Sequence, residues 1–350
     1  MVANKTLIFK KVPTAAPKNG EHLAVESQDF DETPSKGGVS FSILYVSYDP
    51  YLRGKMRDPN VKSYSPPFLV GNPIVNDAVA RVIKSDHPDY KEGDLVVAFL
   101  PVAEYGKLSE EEIKGGAIRR KIDPSKKIDL ATYLGPLGMP GLTGYSSLHE
   151  IGQPKEGETI FISSAAGAVG QIVGQIAKRE GLKVIGSVGS DEKLDFITKE
   201  LGFDAGFNYK KEKPADALKR LAPNGIDIYY ENVGGEHLEA ALDAMNQWGR
   251  IVGCGMISQY NTPDQERYGV KNLMHIVAKR ITFRGFIVYD KGFGDKYAKE
   301  HSEKLIQWLQ DGSYKAKIDI TDGIDNAADG FIGMLQGKNF GKAVVKIKDE

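Results

Sequence analysis

Cysteine is almost absent from this 350-residue sequence, in which Cys254 is the only one. A single thiol cannot form an internal disulfide, and without a cysteine pair the usual ligands of a structural zinc site are missing. The six histidines include no closely spaced pair, so we expect no catalytic metal with three Cys, His or acidic ligands. This cysteine usage favours a reducing compartment.

An excess of charge of either sign is also missing. Lys and Arg together number 46 and Asp and Glu 47, which leaves a formal net charge of −1. Such a balance creates no overall field that would attract nucleic acid or an anionic membrane. No run of about 18 apolar residues occurs, and the first residues contain no secretory apolar segment. We therefore expect a cytoplasmic protein with neither nucleic acid nor membrane as a partner.

Two common catalytic motifs are absent as well. Without G-x-S-x-G there is no nucleophile elbow of an α/β-hydrolase, and without G-x-x-x-x-G-K-[ST] phosphoryl transfer on a P-loop has no support.

What the chain does have is an ordinary globular composition, with 41% hydrophobic and 27% charged residues. Its length predicts two domains.

The two halves of the sequence differ in the secondary structure that their residue patterns predict. Up to about residue 129, short β-rich runs alternate with Pro, Gly and Asn clusters, whereas from about residue 130 apolar runs alternate with helical stretches. The second pattern is typical of βαβ units and a parallel sheet. Its predicted strands are Thr159–Ser163, Lys183–Val188, Asp227–Glu231, Arg250–Cys254 and Ile281–Val288. A final strand at residues 341–348 could return to the first domain, which would make the second domain an insertion.

A glycine-rich turn follows the first of these strands. Residues 164–170 join the strand to a predicted helix, and Ala165, Gly167 and Gly170 match G-x-G-x-x-G with alanine in the first place. Gly167 would let the backbone approach a pyrophosphate, and Gly170 would let the helix pack closely on the sheet. With Ala168 and Val169, this turn predicts a dinucleotide site. An ordinary βα turn has the same spacing, but the series of βα units that follows favours the dinucleotide.

The end of the next strand bears on the choice between NAD and NADP. An NAD site needs an acidic residue at this strand tip, and the sequence has Gly189 and Ser190 there instead. Lys193 follows, and its ammonium group can bind a 2′-phosphate. The pattern favours NADPH, although a solvated helix lysine would also fit this position.

Six stretches together resemble a known family. The sequence is similar to the zinc-independent medium-chain dehydrogenase/reductases, and within them to NADPH-dependent alkenal double-bond reductases and prostaglandin reductases. The stretches that carry the resemblance are Asp49–Met56, Gly138–Thr143, Ser164–Gly170, Tyr230–Gly235, Gly253–Asn261 and Gly337–Lys342.

The resemblance implies an α/β protein with two domains. A mostly β, GroES-like substrate domain, resembling a chaperonin-type barrel, would comprise residues 1–130 and 303–350. A Rossmann-type domain with a doubly wound parallel sheet, residues 131–302, would be inserted in it and bind NADPH. The resemblance further implies that Lys193 and Tyr209 bind the adenosine phosphate end of NADPH and that Asn232 and Asn339 make further cofactor contacts.

Two tyrosines are the predicted catalytic residues. Reduction of an enone requires stabilisation of the charge that develops on the carbonyl oxygen, and a protonated phenol can supply that hydrogen bond without a metal. Tyr260 is the first candidate and Tyr51 the second, because the resemblance matches both to tyrosines that face the substrate. Tyr260 also follows the strand Arg250–Cys254, at the sheet edge where α/β proteins bind ligands. Since the chain has 16 tyrosines, composition alone favours ordinary packing roles.

Two other functions fit the same sequence. The hydride could go to the carbonyl carbon, which would make the protein a zinc-independent carbonyl reductase or alcohol dehydrogenase. A non-catalytic NADPH-binding relative of quinone reductases is the alternative outside enzymes. The resemblance also implies a homodimer, because similar enzymes pair the edge strands of their nucleotide sheets and Ile281–Val288 would be that edge, which is open to such pairing.

Overall fold

A computed structural model describes residues 1–349. Its contacts divide the chain into two compact units. The split unit comprises Met1–Leu134 and the residues from Ile318 onward, and the inserted unit comprises Gly135–Lys317.

Fifteen strands occur in the described residues. They are β1 (Val2–Phe9), β2 (Leu23–Phe30), β3 (Val39–Ser47), β4 (Val75–Ser85), β5 (Leu95–Pro101), β6 (Tyr105–Leu108), β7 (Ile118–Lys121), β8 (Thr159–Ile162), β9 (Lys183–Val188), β10 (Ala205–Asn208), β11 (Ile226–Glu231), β12 (Met245–Gly253), β13 (Thr282–Gly285), β14 (Ile318–Asp322) and β15 (Lys342–Lys346).

Ten α-helices occur in the same residues. They are α1 (Tyr51–Lys55), α2 (Glu110–Lys114), α3 (Met139–Ser147), α4 (Gly170–Arg179), α5 (Asp191–Asp195), α6 (Pro214–Leu221), α7 (Glu236–Ala244), α8 (Met274–Ala278), α9 (Ala298–Gln310) and α10 (Ala327–Leu335). Short π-helical segments extend α3 through Gly152 and α5 through Glu200.

The inserted unit has the predicted doubly wound architecture. Its six strands are all parallel, in the order β10-β9-β8-β11-β12-β13. The order reverses between β8 and β11, and ligands of open α/β sheets bind at such a switch point, beyond the carboxyl ends of the strands. The aromatic rings of Phe161 and Tyr229 stack face to face, with their centroids 5.1 Å apart, inside a fully buried core.

The split unit is mostly antiparallel. Seven strands form a sheet in the order β14-β15-β3-β4-β5-β7, with β6 pairing with β3, and β1 pairs with β2 in a separate ribbon. The last segment of the chain enters this sheet because β15 pairs antiparallel with β3. Apolar side chains of both chain segments share one core, in which Tyr48 and Phe331 have ring centroids 5.9 Å apart.

The boundaries of several elements differ from the sequence predictions. The short strand β10 was not predicted, and β13 ends at Gly285 rather than at Val288 because its partner strand β12 ends at Gly253, opposite Gly285. The domain boundary expected after residue 302 falls within α9, and the two compact units divide after Lys317. Within residues 1–349, no helix combines the length and apolar character needed to cross a bilayer.

Candidate active site

The turn between β8 and α4 is shaped by residues with little or no side chain. A Cβ on Gly170 would lie 2.4 Å from the Ser164 carbonyl oxygen, so only glycine fits there. Ala165 is fully buried, and a Cβ built on Gly186 of the neighbouring strand would lie 2.7 Å from the Ala165 methyl carbon. The alanine in the first place of the pattern is therefore accommodated by a glycine on β9.

The helix that follows begins without a side-chain cap. Val169 occupies the N-cap position and its side chain accepts no hydrogen bond, while Gly167, Ala168 and Val169 are all half-buried. The N–H groups of Gln171, Ile172 and Val173 donate to the Gly167 and Val169 carbonyls at 3.0 to 3.1 Å. The helix dipole places a partial positive charge at this end of the helix. These features suit the phosphate groups of a dinucleotide.

Lys193 lies in the first turn of the short helix α5. Ser190 caps this helix, because its hydroxyl oxygen accepts a hydrogen bond from the Lys193 backbone N–H at 3.3 Å. The Lys193 side chain is half-buried. The cap fixes the lysine backbone directly after the end of β9.

The nearby acidic residue is engaged within the protein. The Asp191 carboxylate accepts a hydrogen bond from Asn208 Nδ2 at 2.9 Å and pairs with the Lys211 ammonium group. The Asn208 amide, followed by Lys211, lowers the pKa of Asp191. Both partners belong to β10 and the residues just after it, so these contacts tie the start of α5 to that strand.

Tyr209 lies against the end of β9. Its backbone N–H donates to the Val188 carbonyl at 3.0 Å, and a Cβ on Gly189 would lie 3.0 Å from the Tyr209 hydroxyl oxygen. The rings of Tyr209 and the buried His237 form an edge-to-face pair, with their centroids 5.4 Å apart and their planes at 78°. Burial lowers the pKa of His237 to about 4, so this imidazole is neutral at pH 7. The structure thus brings Tyr209 and Gly189 together, and His237, which was not predicted as a site residue, packs against the Tyr209 ring.

Glu231 ends β11 and organises the turn after it. Its Oε1 accepts hydrogen bonds from the N–H groups of Val233 at 2.6 Å and Gly234 at 2.8 Å, and from the Tyr229 hydroxyl at 2.8 Å. Burial raises the pKa of Glu231, and these bonds oppose that effect. The carboxyl group fixes the start of the loop that carries Asn232.

Asn232 is anchored to the end of β8. Its backbone N–H donates to the Ser163 hydroxyl oxygen at 2.9 Å, and its side-chain Nδ2 donates to the Ser163 carbonyl at 2.7 Å. With the amide nitrogen committed to Ser163, the amide oxygen of Asn232 is the atom that suits a ligand donor. Ser163 and Glu231 were not predicted as supports of this site, although both stand at the carboxyl ends of apolar strands.

Tyr260 follows β12, as predicted, after a single 3₁₀ turn at Ile257–Gln259. Its hydroxyl oxygen accepts a hydrogen bond from the Met256 N–H at 3.3 Å. A Cβ on Gly255 would lie 2.9 Å from the same hydroxyl oxygen, so the absence of a side chain at that position makes room for the phenol. The bond from Met256 uses a lone pair of the Tyr260 oxygen.

The two remaining predicted site residues belong to the split unit. Tyr51 begins α1 and donates its hydroxyl to Asn76 Oδ1 at 2.7 Å. Asn339 precedes β15, and its side-chain Nδ2 donates to the Gly341 carbonyl at 2.7 Å. Among residues 1–349, no three His, Cys, Asp or Glu side chains are grouped as a metal-binding set.

Comparisons with known proteins decide the family. The family described as zinc-binding dehydrogenase matches residues 168–311, and the family described as N-terminal domain of oxidoreductase matches residues 5–115. The NADP-dependent oxidoreductase RED1 of Cochliobolus heterostrophus is 53% identical over 352 residues, covering 100% of this chain and 99% of that protein. The chain belongs to the zinc-independent medium-chain dehydrogenase/reductases.

Two further relatives of this medium-chain reductase are informative. The 2-alkenal reductase (NADP(+)-dependent) of Nicotiana tabacum is 41% identical, covering 100% of this chain and 99% of that protein. The solved structure of CurA from Vibrio vulnificus in complex with NADPH has a TM-score of 0.89 and 37% identity, covering 99% of this chain and 100% of that one. The predicted fold class is confirmed, and the protein is an NADP-dependent oxidoreductase whose cofactor is NADPH.

The inserted unit of this medium-chain reductase fits that cofactor on its own features. Only glycine fits at position 170, so the turn keeps its backbone close to where a pyrophosphate would bind. The start of α4 has no side-chain cap, and the Asp191 carboxylate is held by Asn208 and Lys211. The first two features suit phosphate, and in the third the Lys211 ammonium group partly balances a negative charge that would oppose a 2′-phosphate.

Proposed function

We propose that this protein reduces the carbon–carbon double bond of α,β-unsaturated aldehydes and ketones. The observation that carries the proposal is the position of the Tyr260 phenol, which lies beyond the carboxyl end of β12 with its oxygen held by the Met256 N–H. The name of the tobacco relative supports the same reaction class.

In this mechanism, NADPH supplies the hydride that the β-carbon of the substrate receives. Negative charge then develops on the carbonyl oxygen, and the Tyr260 O–H donates a hydrogen bond to it. A fixed donor of this kind stabilises the transition state more than the neutral ground state, because the charge is larger there. The Met256 N–H holds the phenol in place and, by donating to its oxygen, strengthens the phenol as a donor.

The cofactor contacts follow from the same proposal. Gly167, Ala168 and Val169, with the start of α4, would hold the pyrophosphate. Ser190 and Lys193 would bind the 2′-phosphate, and Tyr209 would pack beside Gly189 at the adenosine end. Asn232 and Asn339 would make the remaining contacts, and Tyr51 would contact the substrate.

The reaction is tested by the product of one turnover. Enzyme, an enone and NADPH deuterated at the transferred position are expected to give a saturated ketone with deuterium on the β-carbon, detected by NMR. An allylic alcohol with deuterium on the carbonyl carbon would instead identify a carbonyl reductase. Tight NADPH binding without oxidation across enones, ketones and quinones would identify a non-catalytic relative.

We also propose that the protein forms a homodimer through the edge of its parallel sheet. β13 is the terminal strand of that sheet, and open strand edges pair readily with a second copy. Near it in the chain, α8 presents exposed apolar side chains, with Met274 73% and Val277 70% exposed, and Trp248 is 67% exposed. Large apolar side chains at such exposure are typical of an interface between subunits.

The dimer is tested by placing charge on that surface. Analytical ultracentrifugation is expected to find the protein at twice its chain mass of 38.3 kDa. The double substitution Met274→Glu and Val277→Glu is expected to shift it to the monomer, since charges buried without partners oppose association. Leu69→Glu is the matched control, because Leu69 is also exposed, at 52%, and lies in the split unit. A monomeric wild-type protein would contradict the proposal.

A further inference from the structure

The inserted unit ends in a short segment that is bound along one face of helix α4. We call residues 313–317 the exit segment, because the unit ends at Lys317 and the residues that follow belong to the split unit. The Gln171 side-chain amide accepts a hydrogen bond from the Lys317 N–H at 3.0 Å and donates to the Lys317 carbonyl at 3.1 Å. The Gln175 amide binds the same two backbone groups of Lys315, both at 2.9 Å. Each glutamine thus holds both backbone groups of one residue.

The spacing of these bonds follows from the geometry of a helix beside an extended chain. Four residues of an α-helix rise about 6 Å, and two residues of an extended chain rise about 6.6 Å. Side chains at i, i+4 and i+8 of α4 can therefore meet every second residue of the exit segment. Arg179 continues the series, since its guanidinium group donates to the Ser313 carbonyl at 2.7 Å. The face of the helix takes the place of the neighbouring strand with which an extended segment would otherwise pair.

The two glutamines are committed to these partners by their burial. Gln171 is 1% exposed and Gln175 is 7% exposed. Gln175 Nε2 also donates to the Gln171 carbonyl at 3.1 Å, which ties the two positions to each other. A buried amide that loses its partners is left without a hydrogen bond, which is costly. Opening of the exit segment therefore has to break paired bonds to both amides.

The first of these glutamines also belongs to the end of the glycine-rich turn, residues 164–170. Helix α4 begins at Gly170, and the Gln171 N–H donates to the Gly167 carbonyl at 3.1 Å. No side chain caps this end of the helix, so its first turn lacks a bond that often stabilises such turns. A pyrophosphate bound there would act as the cap and hold the first turn in its helical conformation. The side chain of Gln171 would be held in place with it.

We propose that Gln171 is a positioning residue that couples occupation of the glycine-rich turn to closure of the exit segment. The inference rests on the proposed cofactor contacts and deepens them. NADPH at the turn makes the exit segment open less often, and the closed exit segment makes the turn bind NADPH more tightly. Such coupling is reciprocal by thermodynamic necessity, so one factor describes both effects. Gln175, one helical turn further from the phosphates, holds the exit segment without taking part in the coupling.

Hydrogen exchange resolved to single amides tests the first effect in the unmodified protein. Saturating NADPH is expected to slow exchange of the Lys317 amide by about fivefold or more, the lower end of typical couplings. We expect the same of 2′-phospho-ADP-ribose, which keeps the pyrophosphate, but not of adenosine 2′-phosphate, which lacks it. The Ser313 amide is the internal control, because it donates to Asp311 and not to α4. Unchanged Lys317 exchange with NADPH bound, or equal slowing by adenosine 2′-phosphate, would overturn the inference.

The reciprocal effect is tested with Gln171→Met, which keeps the length of the side chain and removes its hydrogen-bonding groups. Its dissociation constant for NADPH, measured by fluorescence titration, is expected to rise by the same factor by which NADPH slows Lys317 exchange in the wild type. A merely structural role of Gln171 predicts no such agreement. Wild-type affinity in Gln171→Met would count against the coupling. The exchange series on the wild type needs no variant, so it decides the question if Gln171→Met does not fold.

Gln175→Met is the matched control, because it removes the same groups one helical turn away. It is expected to speed exchange of the Lys315 amide and to leave the dissociation constant of NADPH within about twofold of the wild type. An affinity loss as large as that of Gln171→Met would mean that the whole helix face, and not Gln171, supports the turn.

Failure of the inference is distinguishable from failure of the proposed function, because none of these measurements involves substrate. Slower Lys317 exchange with NADPH supports the coupling even if the product of turnover is an allylic alcohol. NADPH that binds without slowing this exchange overturns the coupling and leaves the proposed reaction standing.

Discussion

Replacing Tyr260 with phenylalanine is expected to lower the turnover of enone reduction by about a hundredfold, which corresponds to about 2.7 kcal/mol and is typical of losing one donor to an oxyanion. The substitution removes only the hydroxyl, so the ring still packs beside Gly255. Because the lost hydrogen bond strengthens as charge develops on the substrate, kcat falls and KM changes little. Stopped-flow single turnovers with saturating NADPH measure the hydride step directly.

The control for this variant is Tyr289→Phe. Tyr289 lies in the same inserted unit and is 54% exposed, so removal of its hydroxyl tests for general effects of the substitution. Its turnover is expected to stay within about twofold of the wild type. If single-turnover hydride transfer in Tyr260→Phe matched that of the wild type, Tyr260 would have no part in stabilising the enolate.

Local sequence signals predicted most of the inserted unit. Pro214 at the first helical position is a sequence signal for the start of α6, which spans Pro214–Leu221. Lys183–Val188 is a strand with the predicted bounds, since its apolar run is followed by Gly189 and the helix cap Ser190. Where glycine, proline and capping residues mark the ends of an element, the sequence is sufficient to predict its bounds.

The strand β10 lacked such a signal. It has four residues, of which Gly206 has a low strand propensity, and it pairs only with β9 at the edge of the sheet. Its position nevertheless matters for the site, because Asn208 at its end engages Asp191 and Tyr209 follows directly. The pairing with β9, rather than local propensity, makes these residues a strand.

Long-range polar contacts were beyond sequence reasoning for another reason. Asp49 bonds to Asn76, 27 residues away, and to Lys342, 293 residues away, and no local pattern relates such positions. The available signal was residue type, since Lys342 heads the apolar run of β15 and Asn76 interrupts the apolar start of β4. A charged or amide group in such a run predicts a buried partner, but it does not name that partner.

Substitution of Lys193 by alanine is expected to raise the dissociation constant of NADPH by about 10- to 100-fold, the effect of losing a hydrogen bond to a charged group of about 1.5–3 kcal/mol. The dissociation constant of NADH is expected to change little, because NADH lacks the 2′-phosphate. Fluorescence titration of both reduced nucleotides measures the two values. Lys199→Ala is the matched control, since Lys199 lies six residues further on, is exposed and pairs with Asp195.

Salt dependence separates a direct phosphate contact from a structural effect of Lys193. A half-buried ammonium group that pairs with a phosphate is screened by added salt, so the advantage of NADPH over NADH in the wild type is expected to fall as ionic strength rises. In Lys193→Ala this advantage is already small and is expected to depend much less on salt. An equal loss of affinity for both nucleotides would mean that the Lys193 side chain supports the local fold and does not contact the 2′-phosphate.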